Sequence, residues 1–459
     1  MLPCPERPSR WLCHGTLLVL LAAPLWAQVP QEPGDPPLGP PLYDPRAGMD
    51  ADGRIPKPEF PADLEHPDRW RYTPPGRIKP GSILERFLVT SFASPILFRN
   101  ADVGFGGGVA LTDIDFRNER YREFANIVLT YSEEGQQAYR MNWSRWLHYR
   151  DLPDGGIVRE ERGRLFARGG YEKTLTRRYF GRGSRSRPED ESSYTEELSA
   201  LGFGIRDTLD GQGGDWLWRA DLHAEQHGLS GGRVQGVPST SNVEAYAADY
   251  ARGDGVTQAW LLLSLAHDTR DSLHQPYSGH RVGVSANLAQ QSEGRSGGVL
   301  GFDAQQVWTL PPLFHQGGNG REEHPPTDSL AIGGYVQETV GSLPFYSLPS
   351  LGGGSTLRSY IENRFTDRAA AHGTVEYRAG IVPRGYAFSD TIRIERISAA
   401  LFYDLGTVAG SVDALSRARW HHSYGVGLRI GFAREAVFRI DVGWGTEGSN
   451  FTIGYGNTF

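Results

Sequence analysis

Apolar and polar residues alternate along most of the chain, in segments separated by turn residues. In HSYGVGLRIGF, for example, Tyr424, Val426, Leu428, Ile430 and Phe432 share one face, while every intervening residue is polar or glycine. A period of two with one apolar face predicts an amphipathic β-strand, and about ten residues is the length with which a tilted strand crosses a membrane. The pattern therefore predicts strands with one face in lipid and the other toward a wet lumen.

Fifteen segments follow this pattern clearly. They are 102–112, 123–133, 136–147, 163–173, 194–207, 215–227, 256–268, 280–290, 297–308, 330–340, 371–382, 396–408, 422–432, 436–444 and 449–459. A weaker alternation from Val243 to Tyr250 supplies a sixteenth strand, and an even number closes a barrel without a free edge. We therefore predict an all-β fold, a transmembrane antiparallel β-barrel of sixteen strands. A soluble β-sandwich is the alternative, but it would present fewer outward aromatic residues.

The N-terminus has the features of a secretory signal. Basic residues precede an apolar run from Thr16 to Leu25, and Ala27 follows at a plausible cleavage position. We expect residues 1–27 to be a signal peptide that directs export through the periplasm, with an uncleaved anchor as the alternative. The only two cysteines, Cys4 and Cys13, lie within this segment, so the exported chain is expected to carry no disulfide.

The next segment, residues 28–80, is dense in proline and shows no sustained period. Proline removes a backbone donor and restricts φ, so this segment is predicted to be an extended periplasmic linker or tail, followed by the barrel at 81–459. Only three of the 47 basic residues are lysines. Arginine forks pair with phosphate, which suits contact with outer-membrane lipids and lipopolysaccharide. A biased genomic base composition accounts for the same ratio.

The last strand, SNFTIGYGNTF, places Phe451, Ile453, Tyr455 and the terminal Phe459 on one face. Any amphipathic strand alternates in this way. A chain that ends on such an aromatic strand resembles the terminal strand of bacterial outer-membrane barrels.

Three further motifs accompany this strand. They are GGGSTLRSY at 352–360, DTRD at 268–271 with a following proline and glycine, and FYDLG at 402–406. Together, in this order, they resemble the BamA/TamA outer-membrane assembly superfamily, or bacterial surface antigen barrels, from Ser91 to Phe459. The residues that carry the resemblance in the second motif are Asp268, Arg270, Asp271, Pro276 and Gly279, which the resemblance places in a periplasmic turn.

The resemblance implies that the first motif is the tip of a long loop folded into the lumen. Arg358 would then pair with Asp404, and Glu376 is a second candidate partner. The tip residues are Gly352, Gly353, Gly354, Leu357, Arg358 and Tyr360, and the wall residues are Asp404, Glu376, Phe402 and Gly406. The three glycines would let the backbone turn close to the wall, and Leu357 and Tyr360 would wedge the tip. Ser359 departs from the family, which usually has glycine after the arginine.

In function, the resemblance implies insertion or translocation of outer-membrane proteins or lipids through a lateral seam between the first and last strands. Unfolded outer-membrane proteins and accessory lipoproteins are the implied partners. Gly104 and Gly106–Gly108 suggest a weakly paired gate, or equally a curved barrel corner. The segment before the barrel leaves no room for periplasmic client-binding repeats, so a passive channel or a structural barrel with a plugged lumen is the alternative.

Enzyme motifs are weak in this sequence. Gly-x-Ser-x-Gly occurs around Ser230 and Ser296, but neither lies between a strand and a helix, as a nucleophile elbow requires. His223 and His227 imitate a zinc motif without the glutamate next to the first histidine. We therefore expect no catalytic residues, no metal or other cofactor and no nucleic-acid partner.

Overall fold

The computed structural model describes residues 44–459 with gaps at 88, 101, 388–392, 433–435 and 457–459, and the backbone of Thr16–Leu18. The rest of the expected signal peptide and Phe459 lie outside the described residues. Within them, no helix combines the length and the apolar character needed to cross a membrane.

Sixteen long antiparallel strands form the body of the molecule, which confirms the predicted β-barrel. They are β1 Ser91–Asn100, β2 Gly104–Asp113, β3 Glu123–Ser132, β4 Gln137–Trp146, β5 Arg164–Tyr179, β6 Ser192–Thr208, β7 Trp216–Gly231, β8 Thr257–Asp268, β9 Gly279–Gln291, β10 Ser296–Leu310, β11 Asp328–Gly341, β12 Ala369–Val382, β13 Arg393–Ala409, β14 His421–Phe432, β15 Ala436–Gly445 and β16 Gly448–Tyr455. Each strand pairs with the next one along the chain.

Two short strands complete the main sheet. Tyr386–Ala387 pairs with the start of β13, and Thr16–Leu18 runs antiparallel to β1. Two small sheets lie apart from it. One joins Ser350–Leu351 to Phe365–Thr366, and the other joins Trp70–Thr73, Ile157–Glu160 and Tyr149–Asp151. The helical segments are the α-helix α1 Glu244–Gly253 and the 3-10 turns Pro67–Arg69, Pro75–Arg77, Phe116–Asn118, Pro188–Asp190, Thr240–Asn242, Phe345–Ser347 and Val412–Arg417.

The strands expose one face and bury the other, as their alternation predicts. In β14, Tyr424 and Val426 are exposed, whereas Ser423 and Gly425 are buried. In β13, Leu401 and Tyr403 are exposed while Phe402 and Asp404 are buried. Apolar side chains therefore form the outer surface, where lipid replaces water, and polar groups face the interior.

One predicted strand is wrong. The segment from Val243 to Tyr250 lies almost entirely within α1, and the missing sixteenth strand is β1. Tyr246 and Tyr250 are four residues apart, so both pack from one face of the helix against the cluster that contains Phe345. The spacing of these two tyrosines satisfies a period of two as well as a helical period. Pro95 made β1 hard to predict, because proline has no backbone N–H to donate within a sheet. Proline is nevertheless tolerated in a strand whose edge at that position makes no hydrogen bond to a neighbouring strand.

Because consecutive strands are antiparallel, the connections alternate between two ends of the barrel. We call the end with the turns that follow even-numbered strands the tail end, because residues 44–80 lie there. The other end, the loop end, carries α1 and the longest connection, residues 342–368. The two ends differ in what covers the lumen.

Residues 44–80 cross the tail end in contact with several turns. The Lys57 amide donates to the Arg321 carbonyl (2.9 Å), and the Ala387 amide donates to the Pro45 carbonyl (2.9 Å). Trp70–Thr73 adds a strand to Ile157–Glu160. The predicted linker is thus an ordered cover from residue 44 onward, because its backbone donors and acceptors find partners on the barrel turns.

An ion pair fastens this cover, and we expect Arg71→Ala to loosen it. Arg71 Nη2 donates to Glu161 Oε2 (2.6 Å), and both side chains are buried. Loss of a charged hydrogen bond costs about 1.5–3 kcal/mol, so limited proteolysis within residues 44–80 should become roughly tenfold faster. Arg150→Ala is the control, because Arg150 bonds the exposed Asp63 between the same two segments. Equal cleavage rates in both variants would contradict the role of the buried pair.

Candidate functional site in the lumen

The connection 342–368 folds into the barrel and places its tip against the wall. Ser350–Leu351 pairs with Phe365–Thr366 and closes the base of the tip. Within this segment, Gly352 and Gly353 have φ values of 119° and 80°, a region that favours glycine. A Cβ on Gly352 would lie 2.1 Å from the Ile361 carbonyl oxygen. The glycines therefore permit a reversal that residues with side chains would not adopt.

Gly354 contributes in a different way, since it lies next to the last strand. A Cβ there would lie 3.2 Å from Thr452 Cβ. The Gly354 carbonyl also accepts a hydrogen bond from Arg439. The third glycine thus allows the close approach to the wall that the resemblance implied.

Arg358 is fully buried at the tip and bonds the wall on two strands. Nη2 and Nε donate to Asp404 Oδ1 (2.7 Å) and Oδ2 (3.0 Å) on β13, and Nη1 donates to Glu376 Oε2 (2.8 Å) on β12. Both carboxylates are also buried. The guanidinium carbon lies 3.4 Å from the centre of the Phe402 ring, a cation–π contact. The structure thus brings together Arg358 and the wall residues named from the sequence.

The ion pairs continue beyond these residues onto β14 and β15. Glu376 also accepts from Arg378 (2.8 Å) and from Arg429 (2.7 and 3.0 Å). Asp441 lies 2.8 Å from Arg429 and 3.7 Å from Arg358. The tip arginine is therefore one member of a buried network whose charges compensate one another, as buried charges require.

Apolar side chains flank Arg358 in the tip. Leu357 and Tyr360 are 0% and 2% exposed and pack with Leu351, Phe365 and Val408. The Tyr360 hydroxyl lies 2.9 Å from Thr446 Oγ1, in the turn between β15 and β16. These two side chains thus act as the expected wedge, with the tyrosine hydroxyl satisfied by a polar partner.

Two wall glycines make room for this cluster. A Cβ on Gly406 would lie 2.8 Å from Leu351 Cδ1, so this predicted wall residue accommodates the base of the loop. A Cβ on Gly445 would lie 2.3 Å from Ser359 Oγ. The serine that departs from the family is thus accommodated by a glycine on the opposing strand, and the tip keeps its close packing.

The last strand holds the tip through a residue that the motifs did not indicate. Asn450 Nδ2, on the lumen face of β16, donates to the carbonyls of Tyr360 (3.0 Å) and Arg358 (3.3 Å). Phe451 and Tyr455 are exposed on the other face. The alternation of β16 predicts that Asn450 faces the lumen. Its hydrogen-bond partners, however, depend on how far the 342–368 loop extends into the lumen.

The turn between β8 and β9 is held by its own charged residues. Arg270 donates twice to Asp268 (2.7 and 2.9 Å), and Asp271 accepts from the amide of Tyr277 (3.0 Å). Gly279 has φ 99°, and a Cβ there would lie 2.6 Å from the Thr269 carbonyl oxygen. The Pro276 carbonyl accepts from Arg378 (3.4 Å). Through Arg378, this turn is linked to the Glu376 network.

The glycine-rich strand does not form the seam. Gly104 and Gly106–Gly108 lie in β2, which is paired with β1 along its whole length and with β3. A Cβ on Gly106 would lie 2.2 Å from the Phe98 ring. Gly106 thus makes space for a neighbouring ring within a continuous ladder, and the choice between a gate and a curved barrel corner at these glycines stays a prediction.

The residues of the weak enzyme motifs lie in strands and bond to neighbouring groups. His227 Nδ1 lies 3.0 Å from Glu196, and Ser230 and Ser296 lie in β7 and β10. Metal-ligand side chains converge elsewhere in the described chain, as Glu65–His66–Asp210 and His148–Glu160–Asp207. In the second group, Glu160 accepts from the amides of Arg162 (2.7 Å) and Gly163 (2.6 Å), so its oxygens have partners already.

Comparison with known proteins gives one family. The model of the Omp85 superfamily domain matches residues 167–459, and no curated protein matches. Among solved structures, BamA from Haemophilus ducreyi lacking POTRA domains 1-3 is similar with a TM-score of 0.47 and 13% identity over 80% of this chain and 69% of that one. CdiB from Acinetobacter baumannii has a TM-score of 0.45 and 9% identity over 79% of this chain and 59% of that one.

Proposed function

Since this chain belongs to the Omp85 superfamily, we propose that it inserts or translocates outer-membrane proteins or lipids through a lateral seam between β1 and β16. The observation that carries this proposal is the junction at which the sheet returns to its start, where the last long strand, β16, lies next to the first, β1. At residues 97–99, β1 also pairs with Thr16–Leu18, with Thr16 opposite Arg99 and Leu18 opposite Leu97.

A strand edge that opens at this junction is a reactive feature in a membrane. Backbone donors and acceptors that face lipid cost several kcal/mol each when they lack a partner. A client strand supplies those partners by adding to the edge of β1, as extended segments add to exposed sheet edges elsewhere. This process requires no covalent step, so we propose that the protein is not an enzyme.

The buried ion-pair network around Arg358 would hold β16, the other strand of the proposed seam, in a fixed position. The tip of the 342–368 loop is bonded to β12, β13 and β16. These bonds hold the last strand to the loop and to the opposite wall, whereas β1 makes no bond to the tip among those described and is paired along its whole length with β2. We propose that the Arg358 tip keeps β16 in place while the β1 edge exchanges partners. Unfolded outer-membrane proteins, accessory lipoproteins and outer-membrane lipids, including lipopolysaccharide, are the proposed partners.

We expect the purified barrel in liposomes to accelerate folding of a urea-denatured outer-membrane protein. Arg358→Ala should abolish most of the acceleration, because the tip no longer positions β16. Folding is followed by the shift in electrophoretic mobility of the client on unboiled gels. Arg140→Ala, which removes a lumen arginine paired with Glu172, should leave the acceleration unchanged.

Failure to accelerate, from wild-type barrel shown to be folded in those liposomes, would refute the insertase proposal. The alternative of a passive channel or a structural barrel then follows. Because residues 44–80 cover the tail end and the 342–368 loop enters the lumen, a structural barrel predicts no conductance in planar bilayers. A steady conductance would indicate a channel.

A further inference from the structure

A cavity of about 720 Å³ lies between the N-terminal cover and the lumen wall at the tail end of the barrel. We call it the arginine chamber. Ala47, Gly48 and Ile55 of the cover line one side, and β5, β6 and β7 line the other. A volume of this size lies in the usual range for small-molecule sites, roughly 300–1,000 Å³.

Three arginines stand in register on the chamber wall. Arg206 on β6 lies directly opposite Arg164 on β5 and directly opposite Arg219 on β7. Neighbouring strands are about 5 Å apart, so three guanidinium groups share a short row on one face. Like charges directly opposite each other in a sheet are destabilising. The row is therefore unfavourable unless negative charge compensates it.

The protein supplies only part of that charge. Asp221 accepts from Arg219 (2.6 Å) and from Arg168 (3.3 Å), so two arginines share one carboxylate. Among the described residues, the Arg206 side chain donates to the backbone carbonyls of Arg162 (2.9 Å) and Glu161 (3.2 Å) and to no carboxylate.

The guanidinium group of Arg164 makes no hydrogen bond or ion pair with another side chain within the part of the chain that the structure describes, and its Nε is buried without a partner. Its guanidinium carbon lies 5.9 Å from the centre of the Phe166 ring, and that of Arg219 lies 4.9 Å from the same ring. Two guanidinium groups thus flank one aromatic side chain, and the first of them has no described carboxylate to neutralise it.

A histidine in the turn between β8 and β9 also lines the chamber. Burial, together with the nearby positive charges of Arg206 and Arg164, lowers the pKa of His274 to about 3. The imidazole is therefore neutral at physiological pH. Both effects are those expected where cations outnumber anions in a partly desolvated space.

We propose that the arginine chamber binds a small anion with more than one phosphoryl group. Guanidinium forks bind phosphate oxygens in a bidentate geometry, and a row of three suits a ligand with adjacent phosphates better than a single chloride. Trp143 and Trp146 on β4 also line the chamber, so an aromatic or apolar portion of the ligand has a surface to contact. The phosphates belong either to a soluble molecule or to a lipid headgroup.

The test uses the full-length protein in detergent and measures its thermal unfolding midpoint with pyrophosphate, and with sodium chloride at equal ionic strength. Pyrophosphate should raise the midpoint of the wild type and bind with a dissociation constant that Arg164→Gln weakens at least tenfold. Arg164→Gln should also raise the midpoint without added anion, because it removes repulsion and breaks no bond. Arg140→Gln should bind pyrophosphate like the wild type.

A second arm adds micelles that contain cardiolipin, whose headgroup carries two phosphates, in place of pyrophosphate, with phosphatidylcholine as the lipid without net charge. Stabilisation by cardiolipin alone that Arg164→Gln removes would assign the site to a lipid headgroup. Stabilisation by pyrophosphate alone that the same variant removes would assign it to a soluble ligand. If chloride stabilises as well as pyrophosphate, and cardiolipin has no effect, the proposal is wrong. Equal loss of binding in Arg140→Gln also overturns it.

Discussion

Replacing Arg358 with alanine should destabilise the barrel by about 3–5 kcal/mol, the cost of removing one partner from a buried ion pair. The magnitude depends on desolvation, and the structure places Arg358, Asp404 and Glu376 at 0%, 0% and 1% side-chain exposure. The variant leaves two buried carboxylates with one cation fewer. Urea titration followed by tryptophan fluorescence measures the change, with band-shift gels to verify the folded state.

The matched control is Arg140→Ala on β4. Arg140 also pairs with a glutamate on the neighbouring strand, but its side chain is 51% exposed. Exposed pairs contribute about 0–1 kcal/mol, so this variant should unfold close to the wild type. Arg358→Lys keeps the charge and loses the bidentate fork, so its stability should lie between the two. A loss below about 1 kcal/mol for Arg358→Ala would show that water screens the network.

Substituting valine for Gly443 should force the loop tip away from the wall. A Cβ at Gly443 would lie 2.9 Å from the carbonyl carbon of Arg358 and 2.9 Å from the amide nitrogen of Ser359. Both are backbone atoms, which cannot rotate away as a side chain can. Overpacking of this kind costs about 1–3 kcal/mol, and a displaced tip also loses the Arg358 bonds. We therefore expect trypsin to cleave after Arg358, which the wild type protects by burial.

Gly373→Val is the control for this substitution. Gly373 is also a strand glycine, but its nearest neighbour to an added Cβ is the Gly333 carbonyl oxygen at 3.8 Å, an ordinary contact. Peptide mass analysis after trypsin should find the cut after Arg358 in Gly443→Val only. An uncleaved Arg358 in Gly443→Val would mean that the wall, and not the tip, yields to the added side chain.

Most strands of the barrel could be predicted because each one is set by the alternation of apolar and polar residues within its own segment. A tilted strand between lipid and water must alternate apolar and polar residues, so the positions of fifteen strands and the inward face of Asp404 and Glu376 were predicted from the chain, although β5 and β7 extend four to six residues beyond their predicted ends. The exceptions have local causes too. Pro95 interrupts the alternation of β1, and the tyrosine spacing in α1 satisfies two periods at once.

Of the ion-pair network, only the contacts of Arg358 with Asp404 and Glu376 were predicted. Alternation indicates that Arg429 and Asp441 face the lumen, but not that they converge with Arg358. Convergence depends on the register between strands and on the depth that the loop reaches. The same holds for Asn450, whose amide bonds backbone carbonyls that carry no sequence signature.

The sequence by itself determined the barrel and the face that each strand presents to lipid, because these depend on periodicity, and the family resemblance of its motifs implied the long loop with an arginine at its tip. The tertiary structure alone decided that residues 44–80 cover the tail end, and that Arg164, Arg206 and Arg219 stand in one row. Each of these depends on pairing between segments far apart in the chain. A period of two indicates the face of a residue, but its neighbours across the sheet are set by register.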